Sequence, residues 1–251
     1  MARTTSTYTW QSHLGSDAFD PHYHTNPRVE IMSFLDEPPG TVLDIGCGGG
    51  ATGVLIKKKF PGTRVVGIEI NRAAAEHARQ HLDHVVCAPI DDVDAARDLH
   101  GHTISTVLLL DVLEHLYDPW RALQRIRGWL AAGTRVIASV PNIRNLATLS
   151  GLAGGDFEYQ PNGVLDITHI RFFTRSSLRD LFEQTGYTVQ RLDPLTQPAV
   201  VDPVIINRRP GRIETRSLSI AYKSFDELED LYALQYVVDA RVRSSESMAQ
   251  G

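Results

Sequence analysis

Short apolar runs alternate along this chain with longer stretches whose apolar residues recur every three or four positions. The runs at 41–45, 64–70, 84–88, 103–110 and 134–140 read as strands, and the periodic stretches at 52–60, 72–82 and 119–130 read as helices between them. Leu108-Leu-Leu110 has no polar alternate, as in a strand buried on both faces. Asp118-Pro-Trp120 reads as a helix N-cap followed by proline at the first helical position. Such an order implies an α/β fold, a parallel sheet with helices on both faces. Beyond Pro141 the pattern loosens, and the glycines and Pro161 over 143–168 predict a long loop. Regular structure resumes with a helix from Thr174, ended by Gly186 as C-cap, and a strand over 187–192. The prolines between 194 and 224 predict an insertion over the cleft, followed by a helix capped at Ser224 and a last strand over 234–238.

One junction carries chemistry. Val42-Leu-Asp-Ile-Gly-Cys-Gly-Gly-Gly50 is an apolar run that ends in an acid and opens into a glycine-rich turn, and the next run, Arg64-Val-Val-Gly-Ile-Glu69, also ends in an acid. A carboxylate there can accept both ribose hydroxyls of a nucleoside. The glycines alone also satisfy the G-x-G-x-x-A dinucleotide pattern, so Asp44 discriminates. A pyrophosphate needs N–H donors and a helix N-terminus without a nearby anion. A carboxylate two residues before the first glycine suits a cationic guest, and S-adenosylmethionine carries both a sulfonium and an ammonium. That cofactor is therefore favoured over a nicotinamide or a flavin.

These two segments, together with Leu110-Asp-Val-Leu-Glu-His-Leu116 and Pro141-Asn142, resemble the successive motifs of the class I S-adenosylmethionine-dependent methyltransferases. The branch that includes ubiquinone-pathway O-methyltransferases and many sugar and natural-product methyltransferases is the most similar. The similarity covers about residues 28–195. It implies a Rossmann-like, doubly wound, mostly parallel seven-stranded sheet whose last strand enters antiparallel. A cap segment over 1–27 and a methyltransferase domain over 28–251 follow, with acceptor and lid regions near 143–168 and 194–224.

The turn glycines Gly46, Gly48 and Gly50 let the backbone approach the methionine part of the cofactor, with Asp44 and Cys47 in the same turn. Glu69 is expected on the ribose and Ile70 on the adenine face. Relatives bind the adenine amino group with an acid after the third strand, where this chain has Pro89; Asp91 reads either as its replacement or, with Asp92, as an ordinary helix start. Asp111 belongs to the cofactor set, and Tyr23, beside His24, reads as a closing aromatic or as packing of an N-terminal helix. The thiols of Cys47 and Cys87 read as packing groups, and Trp10 and His13 are too isolated to interpret.

Methyl transfer from a sulfonium needs alignment more than a strong catalytic apparatus, yet a hydroxyl acceptor must still lose its proton. His115 and His169 are the candidate catalytic residues. Asp111, Glu114, His115 and His169 also form a candidate divalent-metal set, which resembles branches that use one; hydrogen bonding without metal is the alternative. In Arg171-Phe-Phe-Thr-Arg175 the aromatics either stack on an acceptor ring or anchor the next helix.

Composition narrows the partners. Hydrophobic content of 42% and charged content of 22% belong to an ordinary globular chain, and two cysteines exclude a disulfide framework. A net charge of −5 argues against a polynucleotide substrate, although 207–212 is locally basic. No window has the length of a signal core or a membrane span, so a cytoplasmic protein without membrane partners is expected. A small-molecule or sugar-like acceptor methylated at oxygen, yielding S-adenosylhomocysteine, is the leading reading. The rivals are an RNA or protein methyltransferase and an NAD(P)-dependent oxidoreductase, and assembly into a homo-oligomer stays open.

Overall fold

The computed structural model describes residue 10 and residues 19–99, 101–196 and 211–244. The expectations that concern His13, most of the basic stretch 207–212 and residues 197–210 of the insertion lie outside these residues.

Seven strands form one sheet: β1 Val42–Ile45, β2 Val65–Glu69, β3 His84–Cys87, β4 Thr106–Leu110, β5 Arg135–Pro141, β6 Tyr187–Thr196 and β9 Ala233–Val242. Their order is β3-β2-β1-β4-β5-β9-β6, and β9 runs antiparallel to both of its neighbours. Helices α1 Pro21–His24, α2 Ala51–Lys59, α3 Arg72–Ala78, α4 Ala95–Asp98, α5 Pro119–Arg127, α6 Leu146–Gly154, α7 Arg175–Gln184 and α8 Phe225–Tyr232 connect the strands. The central strands β1, β2, β4 and β5 are coated on both faces, which is why they lack polar alternation. On β4, Val107 and Leu109 join Leu123, Ile126, Leu181 and Phe182 in one core cluster; Leu108 and Leu110 join Ile31, Phe34, Leu35 and Ile56 in another. No helix among the described residues is long and apolar enough to cross a membrane.

The caps follow the sequence. Asp118 accepts from the Arg121 N–H at 3.0 Å, with Pro119 at the first helical position. Thr174 and Ser177 form a reciprocal capping box at the start of α7. That helix is capped by Thr185, and Gly186 follows with φ +93° as the chain turns into β6.

Three expectations are corrected. The region 143–168 is not wholly loop, because Asn145 accepts from the Ala147 N–H at 3.0 Å and starts α6. Its glycines lower helix propensity and hid it. Strand β6 crosses the expected boundary at 194 and runs to Thr196, held by ten-residue β9 rather than by its own pattern. The described end of the insertion contains a hairpin, β7 Gly211–Glu214 with β8 Ser219–Tyr222, fastened to α6 by the Ser150 hydroxyl, 2.9 Å from that of Thr215.

Candidate active site

All parallel strands end at the same edge, where the glycine turn leaves β1. From β2, the Ile68 carbonyl accepts the N–H groups of Gly46 and Cys47 at 2.8 and 3.1 Å. Glu69 clamps the turn, taking the Gly48 N–H on Oε2 at 2.8 Å and the Asn71 N–H on Oε1 at 2.7 Å. From the opposite side the Gly49 N–H donates to the His24 carbonyl at 2.7 Å. Gly48 sits at φ +53°, and a Cβ there would lie 2.7 Å from that carbonyl oxygen. Close approach to a cofactor is thus not the sole demand for glycine at this position, because the N-terminal segment crossing the turn requires it as well. Gly50, at φ +85°, is the left-handed N-cap of α2.

Asp44 lies beneath this turn, 2% exposed, and its Oδ2 has no hydrogen-bond partner. Burial, and then the charge of Glu69, push its carboxyl up to about 7. The thiol of Cys47 packs in the second core cluster, and burial followed by Asp44 and Glu69 pushes it up too. Cys87 is exposed at the end of β3, contrary to its reading as a packing group. Ile70 is 68% exposed just past Glu69, a bare apolar surface at the cleft.

Asp91 is exposed in a short 3-10 turn, Ile90–Asp92, after Pro89. The helix start expected at Asp91-Asp92 falls instead on Asp94, which accepts the Arg97 N–H at 3.0 Å and caps α4. Tyr23 packs edge-on against His24 with ring centroids 5.1 Å apart. The residue is 57% exposed, and crowding of its phenol by neighbouring protein, then the charges of Asp166, Glu114 and Glu69, raise the hydroxyl's pKa.

Asp111 follows β4 with φ +56°, the one left-handed residue among the described residues that is not glycine. Its carboxylate accepts from the Ser139 hydroxyl at 2.9 Å and from the Gln235 amide at 3.2 Å, and it pairs with the Arg28 guanidinium. Arg28 also donates to Gln235 Oε1 at 2.7 Å and, through its backbone N–H, to Thr52 Oγ1 at 3.1 Å. Sequence reading missed Arg28, Ser139 and Gln235, because their partners lie on distant segments and leave no local pattern.

Glu114, His115 and His169 do converge. A 3-10 turn, Leu113–His115, carries the first two, and the Glu114 carbonyl accepts the N–H groups of Ile170 and Arg171 at 2.9 and 3.0 Å, docking the His169 loop. Asp166 stiffens that loop by accepting from Thr168 N–H and Oγ1 at 2.8 and 2.6 Å. The imidazoles meet edge to face at 4.8 Å, and His169 Nε2 lies 4.0 Å from Glu114 Oε1. Burial lowers the pKa of both histidines, with a further push on His115 from His169, so both are neutral near pH 7. Their Nδ1 atoms face carbonyls, Thr168 at 3.3 Å and Val164 at 3.2 Å. A carbonyl only accepts, so Nδ1 carries the proton and Nε2 is left as the basic atom in each ring. Glu114 is 1% exposed, neither carboxylate oxygen has a partner, and burial pushes its carboxyl up to about 8.

The candidate metal set is reduced. The donor atoms of Glu114, His115 and His169 lie within 4.8 Å of one another, but Asp111 is not among them. Its carboxylate is held by Arg28, which a metal ligand would have to abandon. Of the two phenylalanines, Phe173 is buried and anchors the loop against Asn142, whereas Phe172 is 42% exposed beside Phe157.

Comparison with known proteins agrees with this geometry. Residues 22–192 match the model of a family described as a methyltransferase domain. A ubiquinone biosynthesis O-methyltransferase from Pseudomonas paraeruginosa is 30% identical over 188 residues, 71% of this chain and 78% of that protein. The Vibrio cholerae protein of the same name is 26% identical over 190 residues, covering 70% and 74%. Among solved structures, an S-adenosylmethionine-dependent methyltransferase from Archaeoglobus fulgidus superposes with a TM-score of 0.57 at 18% identity, over 85% of this chain and 91% of that one. The magnesium protoporphyrin IX methyltransferase of Synechocystis with bound S-adenosylhomocysteine gives 0.51 at 17% identity, over 86% and 80%. Family match, sheet order and a glycine turn over a buried acid together place this chain in the class I S-adenosylmethionine-dependent methyltransferases, enzymes that pass the cofactor's methyl group to an acceptor.

Proposed function

We propose that the enzyme methylates a hydroxyl of a small-molecule or sugar-like acceptor, with His169 taking the proton and His115 orienting it. The observation that carries this reading is the pair of neutral imidazoles, each with Nδ1 against a carbonyl and Nε2 without a hydrogen bond, that of His169 lying 4.0 Å from Glu114 Oε1. In the transfer, the acceptor oxygen attacks the methyl carbon as the carbon–sulfur bond breaks, the hydroxyl proton passes to His169 Nε2, and S-adenosylhomocysteine leaves neutral at sulfur. On the cofactor side, Asp44 faces the cationic methionine end, Glu69 keeps lone pairs for the ribose hydroxyls, and Ile70 backs the adenine, with Asp91 within the same cleft edge. Residues 19–27, with Tyr23, close over the methionine end; α6 with its following loop, and the β7–β8 hairpin, border the acceptor.

The orphaned carboxyl of Glu114 supports a second reading. A divalent ion held about 2.0–2.2 Å from each donor in tetrahedral geometry spaces its ligands about 3.3–3.6 Å apart, so the three groups, now within 4.8 Å of one another, would have to draw together by about an ångström. Bound there by Glu114, His115 and His169, it would supply a Lewis acid that lowers the acceptor hydroxyl's pKa.

Methyl transfer from labelled cofactor across a panel of phenol, catechol and sugar hydroxyls tests both readings. The proposal expects His169→Ala to slow transfer about 10²–10⁴-fold with S-adenosylhomocysteine affinity unchanged, and turnover indifferent to EDTA. Loss with EDTA and recovery with Mg²⁺ or Zn²⁺ would select the metal reading. Transfer only to RNA or protein would overturn the acceptor assignment.

A further inference from the structure

A cavity of about 390 Å³ opens between the first half of α6, the β7–β8 hairpin and the junction of α8 with β9. That volume falls at the lower end of small-molecule sites. Leu146, Ala147, Tyr232 and Leu234 give it apolar walls, completed by Asn145, Ser150 and Thr215, and none of these lining residues is charged. The polar side chains of the wall are already committed within the protein. Asn145 accepts from the Ala147 N–H at 3.0 Å and donates to the Ala233 carbonyl at 3.1 Å. The Ser150 hydroxyl donates to Thr215 Oγ1 at 2.9 Å, and Thr215 Oγ1 accepts from the Leu218 N–H at 3.1 Å. Among these side chains only the Tyr232 hydroxyl is left over. A sugar ring seated here would therefore leave most of its hydroxyls without partners, which costs affinity. An apolar body gives up no hydrogen bonds on entering and gains by leaving water.

The cavity shares the carboxyl edge of the parallel strands with the histidines. Just past β5, the Asn142 N–H donates to the Leu234 carbonyl at 2.8 Å, and the Ile143 N–H donates to the Phe173 carbonyl at 3.0 Å. The second bond ties the turn before α6 to the loop that carries His169. Gln235, next along β9 from the cavity wall at Leu234, donates to Asp111 at 3.2 Å. In the sheet β5 alone stands between β9 and β4, two strand spacings or about 10 Å in all. A guest of two rings spans that distance, with one ring in the cavity and the other at the strand end that leads to His115. Thr215, Tyr232 and Leu234 lie beyond residues 22–192, the stretch that matches the family model, so this part of the wall is the chain's own addition.

We infer that the cavity holds an apolar ring of the acceptor, joined to the hydroxyl that is methylated, and that Leu146, Tyr232 and Leu234 select for it. The position of that hydroxyl rests on the proposed O-methyl transfer. The acceptor class is thereby narrowed to molecules that carry an apolar ring beside the reacting group, and a free sugar is excluded.

Isothermal titration of the full chain, saturated with S-adenosylhomocysteine, with catechol, 4-phenylcatechol and methyl glucoside tests the inference. The two catechols present the same diol and differ by one apolar ring. 4-Phenylcatechol should bind about tenfold or more tightly than catechol, the gain expected from burying a ring, and methyl glucoside should bind more weakly than either. Leu146→Ala, at a half-buried helical position that alanine suits, should shrink this preference about threefold or more. Ala147→Trp, which sends a bulky ring into the cavity from an exposed position, should abolish it. Affinity for catechol and for S-adenosylhomocysteine should not change in either variant, which shows that the fold is intact. Methyl transfer from labelled cofactor, followed in parallel, separates the two readings. A preference for 4-phenylcatechol that both variants reduce, without methylated product, keeps the apolar site and overturns the hydroxyl transfer. Equal affinity for the two catechols, no binding of either at millimolar concentration, a preference that the variants leave unchanged, or tighter binding of methyl glucoside overturns the site.

Discussion

Replacing Asp44 with asparagine should move stability and cofactor affinity in opposite directions. The two side chains are nearly isosteric, so the change removes charge and little else. Burial and Glu69 raise the carboxyl from 3.8 to about 7. At about 1.4 kcal/mol per pH unit, ionising it inside the fold costs about 4 kcal/mol. The native state retains a proton that the unfolded chain releases above pH 3.8, so wild-type stability falls with rising pH until about 7 and stays lower above it. Asparagine has no such proton, although its amide, placed where Oδ2 is unpartnered, gives back about 1–3 kcal/mol. At pH 8 without cofactor the variant should therefore be more stable by about 1–3 kcal/mol, and the difference should shrink toward pH 4. Binding should show the reverse. Loss of a charge-assisted contact to the cationic methionine end costs about 1.5–3 kcal/mol, or about 10–150-fold in Kd. Urea unfolding at pH 5 and 8, with titration of S-adenosylhomocysteine, reads both. A variant less stable than wild type at pH 8, or one that binds as tightly, would refute the reasoning.

Gly48→Ala forces a left-handed alanine, about 1–2 kcal/mol of strain, against a carbonyl only 2.7 Å away. Faster hydrogen exchange at the Gly49 amide and weaker S-adenosylhomocysteine binding are expected, because the N-terminal segment must lift. Glu114→Gln should stabilise the protein increasingly between pH 4.5 and 8, since the wild-type carboxyl is held protonated up to about 8 in the fold; melting temperature against pH checks this. Thr174→Ala should cost about 1 kcal/mol by urea unfolding through loss of the capping box, with cofactor affinity unchanged.

What was legible in the sequence depended on how locally each feature is encoded. Strands β1, β2 and β4 and the caps at Asp118 and Thr174 follow from neighbours within one turn or one run, and the structure places them as read. Helix α6 was hidden by glycines that a tertiary contact tolerates, and β9 supplied the register that lengthened β6. At the site, the convergence of Glu114 with His115 and His169 followed from placing both loops at the strand ends. Asp111 could not be placed by that rule. Its carboxylate is committed by Arg28 and Gln235, 83 residues before it and 124 after it, and no local pattern announces such partners. The exposed thiol of Cys87 and the cap at Asp94 are smaller cases, for a 3-10 turn over Ile90–Asp92 intervenes before the helix starts.

The central claim is that a buried acid under the glycine turn selects a cationic nucleoside cofactor. Parallel isothermal titrations of the wild-type chain with S-adenosylhomocysteine and with NADH test it most directly. Micromolar binding of the first and none of the second is predicted; NADH binding in that range with no response to S-adenosylhomocysteine would contradict it.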